Sequence, residues 1–217
     1  RFLNPDLGQI NIDDPIPTHI SALGPRGRRL TAELGANWMT TMRNVDEAIA
    51  ALNAMKDAWR DVGRNVDTLY CSAIAGGCVL GEGEAADSPR VKAQAAPHAS
   101  MIFHNLAEAA ELGSIGYPVP PPLQAQFETY CEIYRSYEPA DARYLQNHRG
   151  HLMFLRPEEE SNISGEMIRM LSFTGTAPEL RDGVRALKSA GYSQFAPHIR
   201  HGHASMLEDW ANVFEEV

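Results

Sequence analysis

Two short runs carry residue types that suit the holding of a phosphate ester. The first is Ser21-Ala22-Leu23-Gly24-Pro25, where a stretch of strand character gives way to a helical one. Gly24 lets backbone approach a ligand closely, and Pro25 suits a first helical turn, where its missing N–H costs nothing. Unpaired N–H groups at a helix start attract anions. The second run, Thr40-Thr41-Met42-Arg43, sets two hydroxyls and a guanidinium just ahead of Asn44, which opens the next helical pattern. Charge-assisted hydrogen bonds to phosphate are what such a set offers. Ordinary strand-to-helix loops use the same residues, so taken alone the two runs leave both readings open.

The histidines are a weaker signal. His148-Arg149-Gly150-His151 has a metal-like spacing, but no third ligand is obvious in the sequence, and no metal site is expected. His151 stands as a candidate proton donor or substrate contact. His198, His201 and His203 cluster at the end of the last predicted strand, and His198 is the second candidate for contact with a cofactor or substrate. His98 and His104 sit near helical spacing in an alanine-rich run and are expected to be packing or surface residues. Glu158-Glu159-Glu160 reads as a solvated charge run. Arg149 and Arg156 could serve a phosphate or, more commonly, structural ion pairs. There is no nucleophile elbow, GxGxxG or Walker loop, so hydrolase, dinucleotide-fold and NTPase readings lack support.

The elements that must position these residues alternate strand and helix. A strand is predicted over about Ile16–Ala22 and a helix from Gly24 to Leu34 with Gly35 as its stop. A second strand follows at Asn37–Thr41. Asn44, three residues before Glu47, has capping-box spacing, and Val45, Ala48, Ile49, Leu52, Met55, Trp59 and Val62 then fall on one helical face. A third strand lies within Val66–Val79 and exits through Gly76-Gly77. Asp87-Ser88-Pro89 caps a long helix to about Glu111. Residues 112–163 offer short helical pieces (about 123–136 and 139–147) and no convincing strand, which suggests an insertion or lid. Thr176, with Glu179 three positions on, caps a helix ending at Gly191. Ser193–Ile199 is a fourth strand, and a last helix sets Leu207, Trp210, Phe214 and Val217 on one side. Residues 1–15 read as a lead-in loop.

Four strands alternating with helices predict an α/β fold with parallel pairing, of the kind found in TIM-type (β/α) barrels, although a four-stranded open sheet fits as well. The 217 residues, 44% hydrophobic and 22% charged, can bury a sizeable core. A formal net charge of -9 argues against a nucleic-acid surface. Cys71, Cys78 and Cys131, odd in number and without CxxC spacing, are expected to be reduced thiols of a cytoplasmic protein. No apolar run approaches a membrane span and no signal peptide is visible. The chain opens on Arg1 rather than Met, as expected of a processed or truncated product.

Within this frame the run Pro17–Met39, with its Ala22-Leu23-Gly24-Pro25, Leu30, Ala32-Glu33-Leu34-Gly35-Ala36-Asn37-Trp38 core, resembles the fifth- and sixth-strand region of the bacterial luciferase-like flavin-dependent oxidoreductases. Ala96 to Leu106 is similar to that family's helix after strand seven. Phe173-Thr-Gly-Thr-Ala-Pro-Glu-Leu-Arg181 and Leu187-Lys-Ser-Ala-Gly-Tyr192 resemble its approach to the last strand. The resemblance implies strands five to eight of a (β/α)8 barrel over 1–217, with 112–163 inserted before the last strand and strands one to four absent. It implies an oxidoreductase or monooxygenase that uses reduced FMN, or alternatively F420. Ser21, Ala22, Leu23, Gly24, Pro25, Thr40, Thr41 and Arg43 would then hold the cofactor's phosphate tail, and a small organic molecule would be the substrate. Half a barrel leaves open edges, so a homo-oligomer or a partner chain completing the ring is expected. The alternative is a catalytically incomplete fragment or subunit that needs such a partner.

Overall fold

In the computed structural model, which describes residues 13–114 and 118–217, the chain opens with three consecutive strand–helix steps. These are β1 (His19–Ser21), α1 (Pro25–Leu34), β2 (Asn37–Thr41), α2 (Val45–Asp61) and β3 (Cys71–Ala75). Residues 1–12 of the predicted lead-in loop lie outside the described residues. After β3 come β4 (Val79–Leu80), α3 (Pro89–Glu111), α4 (Gln124–Arg135), α5 (Tyr144–Asn147), α6 (Pro157–Glu160) and α7 (Gly165–Leu171). The chain then returns through β5 (Gly175–Thr176), α8 (Ala177–Ala190), β6 (Gln194–Pro197) and α9 (Ser205–Phe214).

Local chemistry explains most boundaries. Pro25 starts α1 and Gly35, at φ 65, ends it in the left-handed region. A Cβ there would meet the Arg64 guanidinium at 2.5 Å, because Arg64 lies across the helix end and donates to the Ala32 and Glu33 carbonyls at 2.5 and 3.0 Å. Asn44 accepts the Glu47 N–H at 2.9 Å to open α2, and Thr176 and Glu179 form a capping box at the start of α8. The third strand is shorter than predicted: Asn65 accepts the Asp67 N–H and turns Val66–Thr68 into a 3-10 helix, so pairing starts at Cys71. Of the predicted helix at 139–147 only Tyr144–Asn147 forms. On α9 Leu207 is 59% exposed, contrary to its predicted inward position, while Met206 and Trp210 face the core.

The four predicted strands form one parallel sheet in the order β1-β2-β3-β6, with His19 opposite Asn37, Trp38 opposite Cys71 and Ser72 opposite Gln194. Side chains alternate across it. Trp38, Cys71, Ala73 and Ala75 point to the face that packs on Leu52, Met55 and Trp59 of α2, Leu180, Val184 and Leu187 of α8, and Trp210 of α9. His19, Ser21, Met39, Thr41 and Gln194 belong to the opposite face and to no described core cluster. A second core gathers Cys78, Leu80 and residues of α3, α4 and α7, including Phe103, Tyr130 and Met167.

The two cores meet where β3 ends. Phe173 donates its N–H to the Gly76 carbonyl at 2.9 Å, and a Cβ on Gly77 would stand 1.9 Å from the Phe173 carbonyl oxygen. β4 and β5, a pair of two-residue strands, run parallel here and bring the excursion from Gly76 back to the sheet. They are too short for periodicity to show in the sequence. Among the described residues no helix is long and apolar enough to cross a membrane.

Glu84 fastens this junction. Its carboxylate accepts from Arg90 Nε at 3.0 Å, from Ser88 Oγ at 2.7 Å and from the Gly81 N–H at 2.9 Å, and Arg90 reaches on to the Val79 carbonyl and to Asp209 of α9. Arg90's hydrogen bond is the main reason the carboxyl is held down at about 2, against an ordinary 4.5. A depressed carboxyl stabilises the fold fully above its unfolded value and loses that contribution as pH falls towards the folded one. Glu84→Gln is therefore expected to cost ~1 kcal/mol at neutral pH, after allowing for solvent screening of the pair. The gap to wild type should close in urea melts taken from about pH 4.5 down to about 2.

Candidate functional site

Parallel pairing puts the carboxyl ends of all four sheet strands on one rim, so the two predicted phosphate runs leave the sheet side by side. At the β1 exit Ser21 and Leu23 are exposed and Ala22 is buried. Trp38 Nε1 donates to the Ala22 carbonyl at 2.9 Å and Arg28 to the Leu23 carbonyl at 2.5 Å, which fixes the loop from below. A Cβ at Gly24 would meet nothing within 4 Å, so the backbone is open to approach. The start of α1 has no capping side chain and no acidic residue in its first turn. Its first N–H groups are thus directed outward without an internal acceptor.

The β2 exit differs. Thr40 is buried, lies on the helix-packed face with Trp38, and donates to the Thr41 carbonyl at 3.3 Å, whereas Thr41 is exposed. Arg43 lies along α2 and is paired with Glu47 through Nε at 3.1 Å and Nη2 at 2.8 Å. Asn44 already caps α2. Arg43, Asn44 and Glu47 line a cleft of about 460 Å³ closed on the far side by Pro118, Pro120, Met170 and Leu171. The two hydroxyls that the sequence sets in tandem thus fall on opposite faces, because a strand alternates.

Two further exits contribute the predicted candidate His198 and two groups the sequence did not assign to the site, His98 and Arg200. Gly76 has no Cβ because the His98 ring of α3 occupies that space, 2.1 Å from where the Cβ would be. His98 in turn lies 5.0 Å, ring to ring, from His198 at the β6 exit, whose N–H is held by the Ala75 carbonyl at 2.8 Å. The Nδ1 atoms of His98 and His198 and the Nε of Arg200 are buried and lack a hydrogen-bond partner. Burial first, then the nearby His198 ring and the Arg200 guanidinium, pushes His98 down to about 4. Burial and Arg200 lower His198 too, so both rings are neutral at pH 7. Arg200, 5% exposed, donates to the Leu152 and Met153 carbonyls and lines a cleft of about 500 Å³ with Lys92, Phe154, Glu160 and His203. The glycine pair directly after β3 was the available signal, since only residues without a Cβ leave room there for the His98 ring and the Phe173 carbonyl.

The other candidates divide. His198 lies on the rim, while His151 packs with His148 and His104 below the excursion. Arg156 takes the structural fate, pairing with Glu159. Glu159 corrects the reading of a solvated charge run: it is 1% exposed, drawn inward by Arg156 and His104, while Glu158 and Glu160 stay outside. Of the cysteines, all free, Cys71 and Cys78 are buried and Cys131 half-buried.

The sequence profile of the luciferase-like monooxygenases matches residues 2–194. Comparison with curated proteins gives no match. Among solved structures the chain is similar to the coenzyme F420-dependent tetrahydromethanopterin reductase of Methanopyrus kandleri, at 16% identity and a TM-score of 0.56, over 89% of this chain and 48% of that one. It is also similar to an F420-dependent secondary alcohol dehydrogenase solved with an F420–acetone adduct, at 14% identity and a TM-score of 0.52, over 94% of this chain and 50% of that one. The likeness is one of fold, and the chain spans about half the length of each.

Proposed function

This chain belongs to the luciferase-like monooxygenase family, and from that premise we propose that its rim holds the phosphate tail of reduced FMN, or alternatively of F420, in an oxidoreductase or monooxygenase acting on a small organic molecule. When bound, such a cofactor supplies hydride transfer or oxygen activation. The observation that carries the reading is the β1 exit: an uncapped helix start with no acidic side chain, beside a Gly24 that nothing crowds. That donor set fits a phosphate ester. Ser21 through Pro25 line it, and Thr41 and Arg43 approach from the neighbouring exit. Thr40 supports the loop from beneath. The orphaned nitrogens of His98, His198 and Arg200 lie at the exits of the adjoining strands, where a ligand's oxygens would satisfy them. His198, neutral and on the rim, is the group placed to exchange a proton with a bound substrate. Met153 and Phe154, from the stretch between α5 and α6, line the cleft beside Arg200 and would shield that side from water.

Titration of the purified chain with FMN and with F420, followed by cofactor fluorescence, tests the reading. Thr41→Val is expected to weaken binding about 10-fold, the worth of one lost charge-assisted hydrogen bond, with the melting temperature unchanged. Thr40→Val, at a buried site, is expected to move stability and leave affinity alone. If neither cofactor alters the fluorescence, the assignment fails for the chain by itself. A second reading, that a partner chain or second copy completes the ring, is favoured by the two edges, β1 and β6, that the sheet leaves open among the described residues. Light scattering on the eluting protein separates a lone monomer from a closed assembly.

A further inference from the structure

His104 of α3 meets His148 and His151, which close the turn after α5, and one ring nitrogen of each lies within 4.8 Å of the other two. The hydrogen bonds around these rings determine which nitrogens are free. His104 is 3% exposed, and its Nε2 lies 2.6 Å from Glu159 Oε1. Arg156 keeps Glu159 ionised, so the carboxylate accepts and the His104 proton resides on Nε2. The lone pair is then on Nδ1, which is buried and without a partner. His148 repeats the pattern: its Nε2 lies 2.8 Å from Glu108 Oε1, and its Nδ1 faces Nδ1 of His151 at 3.0 Å.

Two imidazoles therefore turn their unprotonated Nδ1 inward with a carboxylate behind each, that of His104 unengaged and that of His148 accepting from His151 Nδ1. That is how proteins orient histidines for a metal ion. We infer that His104, His148 and His151 form a binding site for a divalent transition metal of the zinc class, with the fourth position left to water or a ligand. Three imidazoles suit zinc, copper, nickel or cobalt and disfavour magnesium and calcium. Tetrahedral zinc with Zn–N bonds of about 2.0–2.1 Å sets nitrogens roughly 3.3 Å apart. The His148–His151 pair is near that spacing already, so closure asks mainly for a small movement towards His104. The ion would tie α3 to the turn leading into Leu152 and Met153, whose carbonyls hold Arg200 at the rim. The site stands apart from the phosphate-holding loops and does not depend on the flavin reading.

The test is titration of untagged, chelator-treated protein with Zn(II) alone by calorimetry, and with Co(II) alone by visible absorption. One equivalent should bind, and Co(II) should give the intense visible bands of a four-coordinate site. His148→Ala and His151→Ala should each weaken Zn(II) binding more than about 100-fold, and Glu108→Ala, behind His148, by about 10- to 100-fold. His201→Ala, at an exposed position, should leave it unchanged. Zn(II) binding that is absent, not saturable at one equivalent, or indifferent to His148→Ala overturns the site. Should the alanine variants fail to fold, the Co(II) spectrum of the wild-type chain decides, and a six-coordinate, weakly absorbing spectrum equally overturns it.

Discussion

Arg156→Met is expected to lower folding stability by ~3–5 kcal/mol, the range for removing one partner of a buried ion pair. Arg156 is 3% and Glu159 1% exposed, and they join through Nε to Oε2 at 3.0 Å and Nη2 to Oε1 at 2.6 Å. The guanidinium also donates to Tyr130 Oη at 3.1 Å and to the Gln146 carbonyl, and its centre lies 4.7 Å from that of the Tyr137 ring. Burial alone would raise the Glu159 carboxyl. The hydrogen bonds from His104 and Arg156 outweigh it and hold the group at about 2. Loss of the guanidinium leaves a bare carboxylate inside the second core. Replacing both charges, Arg156→Met with Glu159→Gln, should recover part of the loss, because a neutral amide costs far less to bury than an unpaired ion. Urea melts run in chelator keep metal binding out of the comparison. A double variant no more stable than Arg156→Met alone would show that packing, not the stranded charge, carries the effect.

Trp38→Ala is expected to cost a similar ~3–5 kcal/mol, as for other large aromatic truncations in a core. Trp38 is fully buried in the sheet's helix-packed face and stacks on Tyr192, with ring centroids 6.2 Å apart. Trp38→Phe separates the two things this residue does. It keeps most of the ring in place and should cost less, but it removes the N–H that binds the Ala22 carbonyl. That carbonyl lies in the loop proposed to hold phosphate. Trp38→Phe should therefore weaken cofactor binding more than its modest stability loss implies. Thermal melts beside the same fluorescence titration measure both, and equal affinity for wild type and Trp38→Phe would sever the link between this tryptophan and the loop.

Much of the barrel-type architecture was legible because its signals are local. Asn44, Ser88 and Thr176 cap helices from their own side chains, and Gly35 and Gly191 end them with positive φ. The apolar stripes of α2 and α8 recur at helical spacing, so Leu52, Met55, Leu180 and Val184 are core positions in the sequence as in the fold. The short pieces were not legible. β4, β5 and α6 have two to four residues each, too few for a period, and exist through pairing with distant partners, as when Cys78 N–H bonds to Thr174 Oγ1 at 3.1 Å. Glu159 misled for the same reason, since three glutamates in a row say nothing about which one will find an arginine inside.

At the site the division is sharper. The run Leu23-Gly24-Pro25 specified its own loop and helix start, because backbone freedom and a fixed φ belong to the residues themselves. Which threonine faces the rim depended on strand parity against the helix layer, and which histidines meet depended on where α3 is laid down. His104 and His148 are far apart along the chain, so only folding brings them to one point, and only the carboxylates packed behind them select which nitrogen is left bare. Sequence alone determined the alternation of strands and helices and the loop chemistry at their ends. Tertiary structure decided the convergence of side chains from different elements, since that rests on packing between segments and not on any residue's own preference.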